Sequence, residues 1–156
     1  MSAVKALRAL LAALALAPVS ALAGPRVMSL DSCADQYVLA LAPRETIVGL
    51  SHRAISRDSY MRSRAGGLPL RRATFESLVA ARPEVVVRLW GGDARLSEAL
   101  EKKNITTVAL DDAADFGGLR ANVRKVAVAL DRKPQGEALI ARMDAQLARS
   151  AGAGQG

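Results

Sequence analysis

Two short apolar runs joined by one helical segment constrain the fold of this chain more than any other feature. The first run is Val-Val-Val at residues 85–87, and the second covers residues 105–110. Between them, residues 94–103 carry leucine and alanine at spacings of three and four, which is typical of a helix with one apolar face. Short continuous apolar runs are typical of strands buried on both faces, so this stretch predicts a right-handed βαβ unit in a parallel sheet.

Segments of the same two kinds alternate along the rest of the chain. Strands are predicted at 26–30 and 46–50, and helices at 32–42, 74–82, 112–130 and 134–149. Ser32 and Asp35 fit a capping box at the start of the first helix. Residues 51–70 show no period and are predicted to form a long loop, which in a compact domain is usually functional or mobile. The fold class predicted is therefore α/β, with a parallel, doubly wound sheet of about four strands.

The first 23 residues have the pattern of a secretory signal peptide. Lys5 and Arg8 precede an uncharged apolar run, and Ala-Leu-Ala at 21–23 fits a cleavage site. The run is short for a bilayer span, so export with cleavage after Ala23 is predicted, with an uncleaved anchor as the alternative. Cleavage would lower the net charge from +7 to +5, because it removes two basic residues and no acidic one. Scattered basic residues and few aromatics argue against a nucleic-acid partner.

Few side chains offer reactive chemistry. The single histidine, His52, and the single cysteine, Cys33, lie far apart in sequence, so neither a zinc cage nor an internal disulfide is predicted. Cys33 is expected to be a small buried residue. His52 follows a strand and could face either a ligand or solvent. A small exported enzyme using Ser51, Cys33 or His52 stays open as an alternative, although no nucleophile elbow is present.

The break after the valine run carries the only tryptophan, Trp90, followed by Gly91 and Gly92. Ligands of open α/β sheets bind beyond the carboxyl ends of the strands, which is where this break falls. A large rigid ring suits contact with a planar or macrocyclic ligand, and glycine allows close approach. A core tryptophan beside a packed turn is the alternative.

Several stretches, taken in order, resemble one protein family. They are residues 26–35 (Arg-Val-Met-Ser-Leu-Asp-Ser-Cys-Ala-Asp), 47–51 (Ile-Val-Gly-Leu-Ser), 75–87, 90–93 (Trp-Gly-Gly-Asp), 121–127 and 138–144. The family is the periplasmic binding proteins of ABC importers for vitamin B12 and ferric siderophores. Its members have two α/β lobes joined by a long helix, with the ligand between the lobes. The resemblance implies binding without catalysis, a small-molecule ligand and an ABC permease of the inner membrane as partner.

The same resemblance implies a domain plan and a set of site residues. The chain resembles a truncated, N-terminal lobe at 24–133, followed by the start of the inter-lobe helix at 134–149 and a disordered tail at 150–156. The implied location is the periplasm, and the implied ligand is cobalamin, a ferric siderophore or haem, with no resident cofactor. The implied ligand-side residues are Asp31, Ser32, Cys33, Ser51, His52, Arg53, Trp90, Gly91 and Gly92.

Glu76 matches the lobe-surface glutamate that docks onto permease arginines in this family. By residue type and position alone, an acid in the first turn of a helix is an ordinary contact with the helix dipole. A lobe that folds but has no function of its own stays open as a third hypothesis.

Overall fold

The computed structural model describes residues 24–89 and 94–153. The predicted signal peptide at 1–23, the predicted ligand residues Trp90, Gly91 and Gly92, and residues 154–156 lie outside the described residues. The strands are β1 Val27–Ser29, β2 Ile47–Gly49, β3 Val85–Leu89 and β4 Thr106–Leu110. The α-helices are α1 Ser32–Leu41, α2 Arg62–Ala65, α3 Phe75–Ala81, α4 Ala94–Lys102, α5 Phe116–Ala129 and α6 Lys133–Ala153. Short 3₁₀ turns occupy Arg44–Thr46 and His52–Ile55.

Within the described residues, the four strands form one parallel sheet in the order β2-β1-β3-β4. The chain moves from β1 to one side for β2, then crosses back for β3 and β4. Helices α1, α5 and α6 cover one face, while α3 and α4 cover the other. The predicted α/β class and doubly wound parallel sheet are confirmed. The reversal in strand order places a crevice between the carboxyl ends of β1 and β3, where such folds bind ligands.

The valine run forms the centre of the sheet. Val85 and Val87 pack into the core under α1 and α5, and Val86 packs on the opposite face with Met28 and Leu100. Successive side chains of a strand point to opposite faces, so a central strand covered on both sides needs apolar residues at every position.

The start of α1 differs from the predicted capping box. The helix is capped by Asp31, whose Oδ1 accepts hydrogen bonds from the backbone N–H of Cys33 at 3.0 Å and of Ala34 at 2.9 Å. Asp35 does not reach back to the cap; it is fully buried and bonded to two serines instead. The predicted pairing of Ser32 with Asp35 is therefore wrong, because tertiary partners compete successfully for the carboxylate.

The 51–70 segment contains short helical elements rather than being a loop without secondary structure. It contains the second 3₁₀ turn and α2, and Gln36 of α1 holds it from the side. The Gln36 amide donates to Ser59 Oγ at 3.1 Å and accepts from the backbone N–H of Met61 at 3.0 Å. These partners lie more than twenty residues from Gln36 along the chain. A search for local periodicity cannot detect such contacts.

Helix α6 is longer than predicted. It begins at Lys133, one residue before Pro134, and continues to Ala153. The predicted disordered tail at 150–156 is therefore wrong for residues 150–153, which are helical. At about 1.5 Å per residue the helix is roughly 30 Å long. None of the helices in the described part of the chain is long and apolar enough to cross a bilayer.

Close packing of α6 on α5 depends on Gly136. A Cβ placed there would lie 2.5 Å from the Cβ of Ala127, which is too close for two carbon atoms. The Arg124–Glu137 ion pair, at 2.7 Å, joins the same two helices nearby. The two backbones therefore approach more closely here than any larger residue would allow.

We expect Gly136→Ala to lower the free energy of unfolding by about 1–3 kcal/mol, because the helices must separate to admit one methyl group. Gly152→Ala is the matched control, since a Cβ there meets no atom within 4 Å. It should change the free energy of unfolding by less than about 0.5 kcal/mol, because Gly152 is exposed in the last turn of the helix, where helix ends fray. Urea unfolding followed by circular dichroism measures both. Equal effects of the two substitutions would contradict the close packing.

Candidate ligand-binding cleft

A cleft of about 690 Å³ opens beside the carboxyl ends of β3 and β4. Its walls come from α1, the turn at residues 60–61, the two strand ends, α5 and α6. Apolar side chains dominate the lining, among them Leu89, Leu110, Val123 and Met143. A largely apolar cavity with a few polar groups, at the end of the strands where α/β folds bind ligands, is the expected form of a small-molecule site.

Asp31 holds the crevice between β1 and β3 together. One carboxylate oxygen caps α1, and the other accepts the backbone N–H of Leu89 at 2.7 Å, fifty-eight residues away. Both oxygens are therefore engaged by backbone donors within the lobe. Asp31, with Ser32 beside it at the first position of α1, thus forms part of the frame of the cleft. Direct ligand contact by either residue stays a prediction.

Asp35 joins the loop after β2 to the same frame. Its carboxylate accepts the Ser51 N–H at 2.9 Å and the Ser51 hydroxyl at 2.6 Å, and Ser29 Oγ also donates to it. Burial raises the pKa of Asp35, and the hydrogen bonds from Ser29 and Ser51 partly offset this. The neighbouring charge of Asp31 also raises the pKa of Asp35. Sequence pattern missed this residue, although an acid near the apolar face of α1 was the available signal.

Of the predicted ligand residues Cys33, Ser51, His52 and Arg53, the structure places only Cys33 in the lining of the cleft. Cys33 is exposed and lines the cleft, so the expectation that it is buried is wrong; its side chain lies on the cleft side of α1, whereas the next residue, Ala34, packs into the core. Ser51 is buried and bonded to Asp35. His52 and Arg53 are exposed at the end of β2, and Arg53 pairs with Asp58 at 2.8 Å. Neither of those two lines the cleft.

Sequence reasoning missed two aromatic residues of the cleft lining as ligand contacts. They are Tyr37 and Tyr60, which are the only tyrosines of the chain, and both line the same cavity. Tyr60 is 89% exposed, whereas Tyr37 is half-buried. Burial raises the pKa of the Tyr37 phenol. In the sequence, Tyr37 has the spacing of a core residue of α1, and Tyr60 lies in a segment without periodicity, so neither pattern indicates a ligand contact.

Charged groups at the cleft are few. Asp111, Asp112 and Arg142 line it, and Asp111 is paired with Lys125. Within residues 24–89 and 94–153, no group of three or more His, Cys, Asp or Glu side chains is arranged to hold a metal ion. Arg142 is therefore the positive charge available to an anionic group of a ligand.

Comparison with known proteins matches this architecture to one family. The family model described as "periplasmic binding protein" matches residues 27–152. The chain belongs to the periplasmic binding protein family. Members of the family bind solutes and are not enzymes, so the alternative of an exported hydrolase using Ser51, Cys33 or His52 is wrong. No curated protein matches the chain at a significant level.

Solved structures show the same lobe. The periplasmic haem-binding protein BhuT, in complex with two haems, is 28% identical with a TM-score of 0.67, and the match covers 83% of this chain and 51% of BhuT. The haem-binding protein RhuT from Roseiflexus sp. RS-1 is 24% identical with a TM-score of 0.67, over 81% of this chain and 48% of RhuT. The vitamin B12-binding protein BtuF of Vibrio cholerae is 14% identical with a TM-score of 0.63, over 81% and 49%.

The chain thus spans about half the length of the solved structures it matches, since the covered shares of those chains are 51%, 48% and 49%. This agrees with the expectation that the described residues form one lobe of a two-lobed architecture.

We expect the free energy of unfolding to depend on pH through the raised pKa of Asp35. Because the folded-state pKa lies above the ordinary value of 3.8, the folded state holds this proton more tightly than the unfolded state. The stability that this proton contributes is fully present below pH 3.8, and it is lost as the pH rises through the folded-state pKa of Asp35. Asp35→Asn should remove it, so stability should fall less with rising pH than in the unmodified chain. Urea unfolding at several pH values measures the difference.

Two further variants complete this test. Asp35→Ala should destabilise the lobe by about 3 kcal/mol at neutral pH, because the donors of Ser29 and Ser51 lose their acceptor. Asp58→Asn is the control of opposite sign: its hydrogen bond from Arg53 lowers the pKa of Asp58. The stability from Asp58 is therefore present above the ordinary pKa and is lost as the pH falls. The same pH slope in Asp35→Asn and the unmodified chain would contradict a raised Asp35 pKa.

Proposed function

We propose that this chain is a ligand-binding lobe of a periplasmic solute-binding protein of an ABC importer, and that its cleft contacts a tetrapyrrole, haem in preference to cobalamin. The observation that carries the proposal is the cleft at the carboxyl ends of the strands, walled mainly by apolar side chains and containing both tyrosines. A ferric siderophore is the remaining candidate ligand.

The shape and lining of the cleft suit a large flat ligand. A tetrapyrrole has two apolar faces, and their removal from water contributes about 25 cal/mol per Å² of buried apolar area. Tyr60 exposes 89% of its surface, so its ring has most of its area available for contact with such a face. Aromatic rings favour offset stacking on a planar π-system.

The two tyrosines differ in their ability to reach a metal ion. A tyrosine oxygen is one of the axial ligands that proteins offer to haem iron. Tyr60 is 89% exposed, so its hydroxyl is accessible to a ligand, whereas burial raises the pKa of the Tyr37 phenol and disfavours the phenolate form. We assign Tyr60 as the axial ligand and Tyr37 as a wall of the cleft. Arg142 supplies a guanidinium for a haem carboxylate.

Similarity to BhuT supports haem as the ligand. BhuT is a haem-binding protein solved with two haems, and its identity to this chain is 28%. RhuT and BtuF, at 24% and 14%, support the fold alone. The predicted contacts of Trp90, Gly91 and Gly92, and those of His52 and Arg53, stay part of this proposal, because these residues follow β3 and β2 in the sequence. The Ser51 side chain is bonded to Asp35 instead.

Titration with haem, cyanocobalamin and a ferric hydroxamate tests the ligand. Soret absorbance and tryptophan fluorescence follow binding, and haem is expected to bind most tightly. Tyr60→Phe keeps the ring but removes the oxygen, so it should alter the Soret band and weaken haem binding about tenfold, equivalent to about 1.4 kcal/mol. Tyr37→Phe is the matched control and should leave the Soret band unchanged.

Each other outcome of the titration is informative. Identical spectra for the haem complexes of Tyr60→Phe and the unmodified chain would remove the axial ligand assignment. If cobalamin or the hydroxamate bound more tightly than haem, that compound would be assigned as the ligand instead of haem. A folded chain that binds none of the three would favour the hypothesis of a lobe without function of its own.

For delivery, we propose that Glu76 docks onto a basic residue of the permease. Glu76 is exposed in the first turn of α3, and hydrogen bonds from its own backbone N–H and from Thr74 lower the pKa of its carboxyl group. It is therefore ionised at neutral pH. Its carboxylate makes no ion pair with any described residue. Exposed charges at the rim of an interface mainly set orientation and association rate.

We expect Glu76→Lys to slow uptake by the importer while leaving ligand affinity unchanged, because it reverses a docking charge remote from the cleft. Glu101→Lys is the control, since Glu101 is also an exposed helical acid without an ion pair among the described residues. Uptake of labelled ligand in cells carrying the permease gives the readout. Equal uptake by the two variants would exclude a special role for Glu76.

A further inference from the structure

A second cavity, of about 320 Å³, lies at the C-terminal end of α1. Because α1 starts at the carboxyl edge of the sheet and runs back, this cavity lies toward the amino edge, away from the predicted ligand loops. It is lined by four arginines and by no aspartate or glutamate; the arginines are Arg44, Arg64, Arg132 and Arg142. We name it the four-arginine cavity. It shares Ala40 and Arg142 with the wall of the larger cleft.

The four guanidinium charges are not neutralised within the described residues. Arg44 donates to two backbone carbonyls, of Arg64 at 2.8 Å and of Gly66, and to no carboxylate. The ion pairs of residues 24–89 and 94–153 include none of the four arginines. Like charges gathered around one cavity repel each other, and a bound anion removes that repulsion.

Arg132 also has a hydrogen-bond donor without a partner. Its Nε is buried, and among the side-chain nitrogen and oxygen atoms of the described residues it is the one buried without a hydrogen-bond partner. Buried donors in native proteins are nearly always satisfied, by protein, water or a ligand. The backbone of Arg132 is fixed, because its N–H donates to Ala127 O at 2.7 Å and its carbonyl accepts Gly136 N–H at 2.9 Å. The unsatisfied Nε of Arg132 therefore belongs to a residue whose backbone is held in place by two hydrogen bonds.

The start of α6 adds positive potential to the same place. Arg132 precedes the first residue of α6, and Gln135 in its first turn lines the cavity. The N-terminus of a helix carries partial positive charge and free N–H groups. The last residues of α1 also line the cavity, but none of the four guanidinium groups donates a hydrogen bond to their carbonyls in the described structure. Hydrogen-bonded capping of α1 therefore does not account for the four arginines.

We propose that the four-arginine cavity binds a small anion that carries one or more phosphate groups. Guanidinium groups present paired N–H donors that match two oxygens of a phosphate, and their charge is permanent. Several such groups around one cavity, together with a helix N-terminus, favour a multiply charged oxyanion over chloride. The two sites share Arg142, but Arg44, Arg64 and Arg132 line the smaller cavity and not the tetrapyrrole cleft. The proposal therefore goes beyond the proposed transport function and does not depend on it.

Calorimetric titration of the unmodified chain with inorganic phosphate and with pyrophosphate, at constant ionic strength set with sodium chloride, tests the proposal. Saturable binding with one site per chain is expected, together with a rise in the melting temperature. The double substitution Arg64→Gln with Arg132→Gln should weaken binding by at least about tenfold, since hydrogen bonds to charged groups are lost. Without phosphate, this variant should be at least as stable as the unmodified chain, because repulsion is relieved.

Arg149→Gln is the matched control, because Arg149 is an exposed arginine of α6 that lines neither cavity. It should leave phosphate affinity unchanged. A parallel assay with vesicles containing phosphatidylglycerol identifies the source of the phosphate group. Vesicle binding that requires Arg64 and Arg132, without binding of free phosphate, would assign it to a lipid headgroup. No binding in either assay, or an equal loss in Arg149→Gln, would overturn the proposal.

Discussion

The carboxylate of Asp31 is the interaction on which the site depends. It accepts backbone hydrogen bonds from the first turn of α1 and from Leu89 at the end of β3, fifty-eight residues further along the chain. Strand order reverses between β1 and β3, which are paired within the sheet, and Asp31 extends that link beyond their carboxyl ends. Asp35 extends the link to the loop after β2 through Ser29 and Ser51. Two acids thus set the relative positions of three strand ends.

This frame determines which side chains remain available to a ligand. Asp31 and Ser51 are engaged by the lobe itself, while Cys33, Tyr37 and Tyr60 face the cleft. Polar residues at the ends of β1 and β2 therefore fix the positions of the strand ends, and the surface of the cleft comes mainly from apolar and aromatic residues of α1, residues 60–61, the ends of β3 and β4, α5 and α6. A buried carboxylate such as that of Asp35 needs several hydrogen-bond donors, and the serines at the ends of β1 and β2 supply them.

The lobe has two chemically different ends. At the carboxyl edge of the sheet, the cleft is largely apolar with both tyrosines; toward the amino edge, four arginines surround a smaller cavity without any carboxylate. Arg142 on α6 lies in the wall between them. Helix α6 lines both cavities, and the glycine at 136 lets it pack closely on α5.

Local sequence pattern determined the four strands, most helix positions and the parallel sheet, because β-branched runs, apolar spacing and caps such as Thr74 act within a few residues. Resemblance determined the family. Tertiary structure alone decided the partners of Asp31 and Asp35, the exposure of Cys33 and the place of Tyr60 in the cleft. The physical reason is sequence distance: these features arise from hydrogen bonds and packing between residues far apart in the chain, which periodicity within one segment does not encode.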